Sequence, residues 1–185
     1  CETHGFYGGS GSGASSNLIH RISYASDGNA TDSTSNLSVG RDGTAASSSA
    51  TYAYWMGGSG SNVIDKLGFS SSSNATDVGN LTVARSSSGC GLSTTAHGYN
   101  AGGDGVNNID KFSFSSDGNA TEVGDITSAR KNFATSSTTH GYMAGGGSGN
   151  GTNLIEKFAF ASDGNSADTT ADLSVGRREA DSTQV

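Results

Sequence analysis

One phrase, repeated four times, constrains this chain more than any single motif. It reads Thr139-His140-Gly141-Tyr142-Met143-Ala144-Gly145-Gly146, then a glycine-rich loop, then Asn153-Leu154-Ile155-Glu156-Lys157-Phe158-Ala159-Phe160. Its first half begins at Thr3, Thr51, Ala96 and Thr139, and its second half at Asn17, Asn62, Asn107 and Asn153. Ile19, Ile64, Ile109 and Ile155 stand 45, 45 and 46 residues apart, and Arg41, Arg85, Arg130 and Arg177 stand 44, 45 and 47 apart. A fixed period of this size means that one supersecondary unit is stacked on copies of itself. The length varies mainly in the glycine loops, as it does when strands are fixed and connections are free.

Within each unit the pattern is that of strands. Alternation of period two runs through Ile19, Ile22 and Tyr24, and Asp-Gly and Gly-Asn pairs supply tight hairpin turns. No sustained 3.6-residue period supports a helical solenoid, and a β-helix needs a shorter rung. Four short strands in about 45 residues make a propeller blade. The expectation is an all-β propeller of four-stranded blades over residues 1–185. Blades 42–85, 86–130 and 131–177 are whole, and a split blade takes three strands from 1–41 and its first strand from 178–185. Three completions follow: a closed ring of four blades, a segment of a longer chain, or copies joined head to tail. The chain does not begin with Met and shows no signal peptide, so the expectation is a processed product or a piece of a longer protein.

Composition narrows the function classes. Apolar residues are only 32% and charged residues 15%, but seven Phe and six Tyr recur at regular places and there is no Pro, which marks an ordered chain rather than a disordered one. The net charge of −7 and the scatter of ten Lys and Arg over the repeats exclude a nucleic-acid surface. No stretch approaches the length of a membrane-spanning helix. The two cysteines, Cys1 and Cys90, are too few for a disulfide scaffold. Two isolated thiols or one bridge are the simpler readings, beside a lipid anchor at Cys1.

The candidate sites all coincide with the repeat. Gly57-Gly58, Gly102-Gly103 and Gly145-Gly146 end the second strand of three units, and Arg41, Arg85, Arg130 and Arg177 end all four; these are structural repeat positions. The arginine is expected to pair, between blades, with the acidic residue at Asp65, Asp110 or Glu156. His4, His97 and His140 recur too, but equivalent positions in successive blades lie too far apart to ligate one metal. The turns Asp27-Gly28-Asn29, Asp117-Gly118-Asn119 and Asp163-Gly164-Asn165 lack the longer pattern of a calcium loop, and the glycine loops lack the Gly-Lys-Ser/Thr of a phosphate cradle. The Asn-Ala-Thr triplets at Asn29, Asn74 and Asn119 coincide with the same turn. No catalytic, cofactor-binding or metal set stands apart. Phe112, Phe114, Phe158 and Phe160 are the expected core.

A strand ending in Gly-Gly, a variable loop, a strand with an acidic residue and aromatics, a turn, then a leucine and an arginine resembles the kelch repeat. The resemblance covers essentially the whole chain, four times over. It departs in lacking the kelch tryptophan after the turn, where Ala30, Ala75, Ala120 and Ser166 stand. Gly/Ser/Asn-rich repeats with this turn are also similar to those in tailed-phage virion proteins. The resemblance implies a non-enzymatic structural or recognition module of the tail-fibre or decoration type, extracellular or on a virion. Its partners would be other virion or assembly subunits and a host surface glycan or protein, with homo-oligomers as one form of assembly. No cofactor is implied. Kelch propellers usually carry six or seven blades. The alternative is a secreted carbohydrate-binding or galactose-oxidase-like protein whose active residues lie outside this chain.

Overall fold

The computed structural model describes residues 3–9, 16–26, 28–147 and 151–178. Among these there are fifteen strands and no helix, so no helix is long and apolar enough to cross a membrane. Sheet I contains β1 (His4–Gly8), β2 (Leu18–Ser23) and β3 (Thr31–Asn36). Sheet II contains β4 (Ala45–Ser48), β5 (Tyr52–Met56), β6 (Ser61–Gly68) and β7 (Thr76–Arg85). Sheet III contains β8 (Ser88–Ser93), β9 (His97–Gly103), β10 (Asn108–Ser113) and β11 (Thr121–Asp125). Sheet IV contains β12 (Phe133–Ser136), β13 (His140–Ala144), β14 (Thr152–Ala159) and β15 (Ala167–Arg177). Each sheet is an antiparallel meander in chain order. The sheets stack face to face in a propeller-like arrangement, with β4 against β8 and β8 against β12. Sheet I has no fourth strand among the described residues, and residues 179–185, expected to provide most of it, lie outside them.

The Gly-Gly pairs explain where the second strand of each unit stops. All six glycines have φ between +60° and +141°, a region that costs a side chain steric energy. The second glycine of each pair donates its N–H to the carbonyl of the arginine that ends its own unit: Gly58 to Arg85 (3.1 Å), Gly103 to Arg130 (2.9 Å), Gly146 to Arg177 (2.7 Å). A Cβ at Gly58 or Gly146 would collide with the carbonyl oxygen of Asp42 or Lys131.

Among the described residues the core forms three clusters, one per junction. Ile19 and Leu37 of sheet I meet Ala53, Trp55, Leu67 and Ala75 of sheet II. Tyr54, Met56, Ile64 and Leu81 of sheet II meet Phe112 and Ala120 of sheet III. Leu92, Tyr99, Ala101, Ile109 and Ile126 of sheet III meet Met143 and Phe158 of sheet IV. Every inner sheet thus has a forward face and a rear face, both buried. The expected phenylalanine core needs one correction. Phe112 and Phe158 are buried, but Phe114 and Phe160 are only partly so. They fall just past the ends of β10 and β14. There Phe114 stacks on Tyr54 and Phe160 lies tilted against Tyr99, with ring centroids 4.9 and 5.0 Å apart.

Candidate functional site: the junctions and the two outer faces

The recurring arginines sit inside the junctions. Arg41 Nη2 lies 2.8 Å from Asp65, Arg85 Nη2 2.7 Å from Asp110, and Arg130 Nη2 2.5 Å from Glu156, each pair almost wholly out of solvent. In each case the arginine closes one repeat unit and the carboxylate belongs to the third strand of the next sheet. The guanidinium also donates to a backbone carbonyl of that next sheet: Arg41 to Trp55, Arg85 to Gly102, Arg130 to Gly145. The carboxylates accept further bonds from the Ser38 N–H, the Thr82 hydroxyl, and the N–H and hydroxyl of Thr127. A buried charge is tolerable only with such company, and the gain lies more in fixed geometry than in net stability. Burial pulls the Arg41 pKa down, while Asp65 opposes the shift. The network latches each sheet to the next at a set position.

Two weaker latches run beside it. Lys66 pairs with Asp117 at 2.7 Å and Lys111 with Asp163 at 2.8 Å, each reaching from one sheet to the turn of the following one. Burial pulls the Lys111 pKa down, but the bond to Asp163 and the nearby Tyr99 outweigh it, and the net shift is upward. The asparagine of the turn is a latch too. The side-chain oxygens of Asn74, Asn119 and Asn165 accept the N–H of Asn36, Asn80 and Asp125 in the preceding sheet, each at 3.0 Å. In sequence this asparagine reads as a turn residue and, at Asn74 and Asn119, as part of a glycosylation triplet. The signal was available: it recurs at the same 45- and 46-residue intervals as the buried isoleucine.

The other candidates are not gathered into a site. His4 and His140 bond the hydroxyls of their neighbours Thr3 and Thr139, and the His97 pKa is lowered by burial and by Lys111. Among the described residues no three His, Cys, Asp or Glu come together. The turn acids Asp117 and Asp163 are taken by the lysines, and Asp27 lies outside the described residues, as does Cys1. Cys90 is free and buried, and burial pushes its thiol up to about 12. A thiol so protonated is a poor nucleophile. An open groove of about 550 Å³ lies beside the Lys66–Asp117 latch, lined by Tyr52, Asn74 and Thr76 among others.

The two end sheets differ from the inner ones. On the forward face of sheet IV, Tyr142, Ala144, Ile155 and Leu173 are only partly buried. Their counterparts Tyr54 and Tyr99, Met56 and Ala101, Ile64 and Ile109, Leu81 and Ile126 are buried. On the rear face of sheet I, Tyr7 is 62% exposed, whereas Trp55 at the same register is 3% exposed. Tyr24 and Ala30 are exposed as well. Arg177 departs from its three equivalents: it is exposed and has no ion-pair partner among the described residues. None of the three core clusters joins sheet IV to sheet I.

No protein-family model matches the chain, and no curated protein does. Solved structures do. Hydrazine synthase of Kuenenia stuttgartiensis superposes with a TM-score of 0.59 at 9% identity, over 86% of this chain and 44% of that one. The computationally designed Ika8 protein gives 0.50 at 11% identity, over 88% and 48%. A fungal alcohol oxidase of the AA5 family, in complex with copper, gives 0.45 at 13% identity, over 88% and 49%. At such identities the first two likenesses concern fold alone. The chain shares an all-β fold of stacked antiparallel sheets with them and spans less than half of the length of each.

Proposed function

We propose that this chain is a kelch-like propeller segment acting as a non-enzymatic structural and recognition module, of the kind found in virion appendages and surface proteins. The observation that supports it most is the use to which the repeat is put. The arginine, the carboxylate and the turn asparagine, positions that recur, are spent on joining one sheet to the next, and the Gly-Gly pair on closing its own unit. What varies is the loops, and variable loops on a rigid stack are suited to contact with a partner. The two end faces give the module surfaces for other subunits, and the open groove beside the Lys66–Asp117 latch offers contacts to a host glycan or protein. Its setting is a virion or the cell exterior.

The test is to measure native and denatured masses of the material as isolated, together with the protein content of purified particles from the same source. The reading expects the chain in particles, or in an assembly whose native mass exceeds 18.5 kDa. Bound copper, or a turnover product from a sugar, would overturn it in favour of a galactose-oxidase-like enzyme.

A further inference from the structure

The forward face of sheet IV repeats the forward half of a junction whose other half is known three times over. Tyr142, Ala144, Ile155 and Leu173 stand at positions that are buried in sheets II and III, and Ile19 and Leu37 hold two of the same positions, also buried, in sheet I. Arg177 stands where Arg41, Arg85 and Arg130 each meet a carboxylate of the next sheet. Lys157 is exposed, and its equivalents Lys66 and Lys111 each reach an aspartate in the next turn. The face therefore states its requirements: an apolar sheet, one carboxylate for Arg177 and a second for Lys157.

Sheet I meets the apolar requirement, through Tyr7, Ile22, Tyr24 and Ala30. It meets the ionic one by half: in the sequence Asp27 stands where Asp117 and Asp163 do, which answers Lys157, but no carboxylate answers Arg177. His20 pairs with Tyr7 in register as Asp65 pairs with Trp55 and Asp110 with Asn100, so a histidine occupies the carboxylate position. Docking sheet I on sheet IV, within one chain or between two copies, would bury Arg177 against an imidazole. A desolvated guanidinium without a counter-charge is strongly unfavourable.

We infer that the forward face of sheet IV is the seat of a further four-stranded sheet of this same repeat type, one that carries Asp or Glu at the position equivalent to Asp65, Asp110 and Glu156. The inference rests on the reading of the chain as a structural module and names the partner of one of its end faces. Sheet I of this chain or of a second copy is not that partner.

The test adds a second copy of residues 86–130 directly after Arg177, in two versions that differ only at the residue copied from Asp110: Asp in one, His in the other. The Asp version should unfold with an equilibrium constant at least about tenfold smaller than the His version, and Arg177→Met should erase the difference. Oxidative labelling of Tyr142 should fall in the Asp version. Equal stability of the two versions would overturn the inference, as would a difference that survives Arg177→Met, or unchanged labelling of Tyr142. So would a discrete dimer of the unaltered chain that protects both Tyr7 and Tyr142, since the occupant would then be a second copy. None of these results depends on whether the chain is found in particles, so the inference and the proposed function fail separately.

Discussion

The sharpest contrast in this molecule is between Arg85 and Arg177, the same repeat position in two environments. Arg85 is wholly buried, 2.7 Å from an equally buried Asp110, and also donates to the carbonyls of Gly102 and Asn108. Replacing it with Met leaves Asp110 charged in the junction and two carbonyls short of a donor. Loss of one partner of a buried pair costs about 3–5 kcal/mol. The double change Arg85→Met with Asp110→Leu removes both charges and should recover most of that loss, because apolar replacements of buried pairs are often near neutral. Arg177→Met removes an exposed group and should stay within about 0.5 kcal/mol. Urea unfolding, followed by intrinsic tyrosine and tryptophan fluorescence, gives all three numbers from shifts in midpoint at constant slope. The reasoning is refuted if Arg85→Met costs no more than Arg177→Met, or if the double change is worse than the single one.

Two further outcomes are expected. Phe112→Ala should cost about 3–5 kcal/mol and Phe114→Ala clearly less, because only the first ring is enclosed by the facing sheet; calorimetric midpoints decide the order. Alkaline pH should destabilise the fold. Burial raises the Cys90 thiol from 9.0 to about 12, and burial with nearby Asp117 raises Tyr54 from 10.0 to about 12. The folded chain keeps these protons while the unfolded chain releases them, so their contribution is fully present below pH 9. It is lost between about pH 9 and 12, at up to about 1.4 kcal/mol per pH unit for each group. Urea midpoints across that range measure the slope, and Cys90 should resist thiol reagents until the chain unfolds.

The repeat made much of the architecture legible. A buried isoleucine and a terminal arginine at one period fix the strand register, and the register puts Arg85 and Asp110 at a shared junction before any coordinate is known. What stayed hidden depends on where a strand ends or on what lies beyond it. Phe114 shares the alternation of Phe112, and only the end of β10 at Ser113 leaves it at the rim. Asn119 reads as a turn residue because its own unit gives it that role; its bond to Asn80 belongs to the neighbouring sheet. Arg177 matches its equivalents in sequence, and its exposure follows from the bare face beside it, which no local pattern encodes.

The central claim is that, among the described residues, the end faces of sheets I and IV do not cover one another. Hydroxyl-radical labelling of the isolated chain, read residue by residue, tests it most directly. The account predicts fast modification of Tyr7 and Tyr24, intermediate modification of Tyr142, and strong protection of Tyr54, Trp55 and Tyr99, at every protein concentration where the native mass is that of one chain. Protection of Tyr7 and Tyr142 equal to that of Tyr54 in a single-chain species would mean that sheets I and IV meet in a closed ring, and would contradict it.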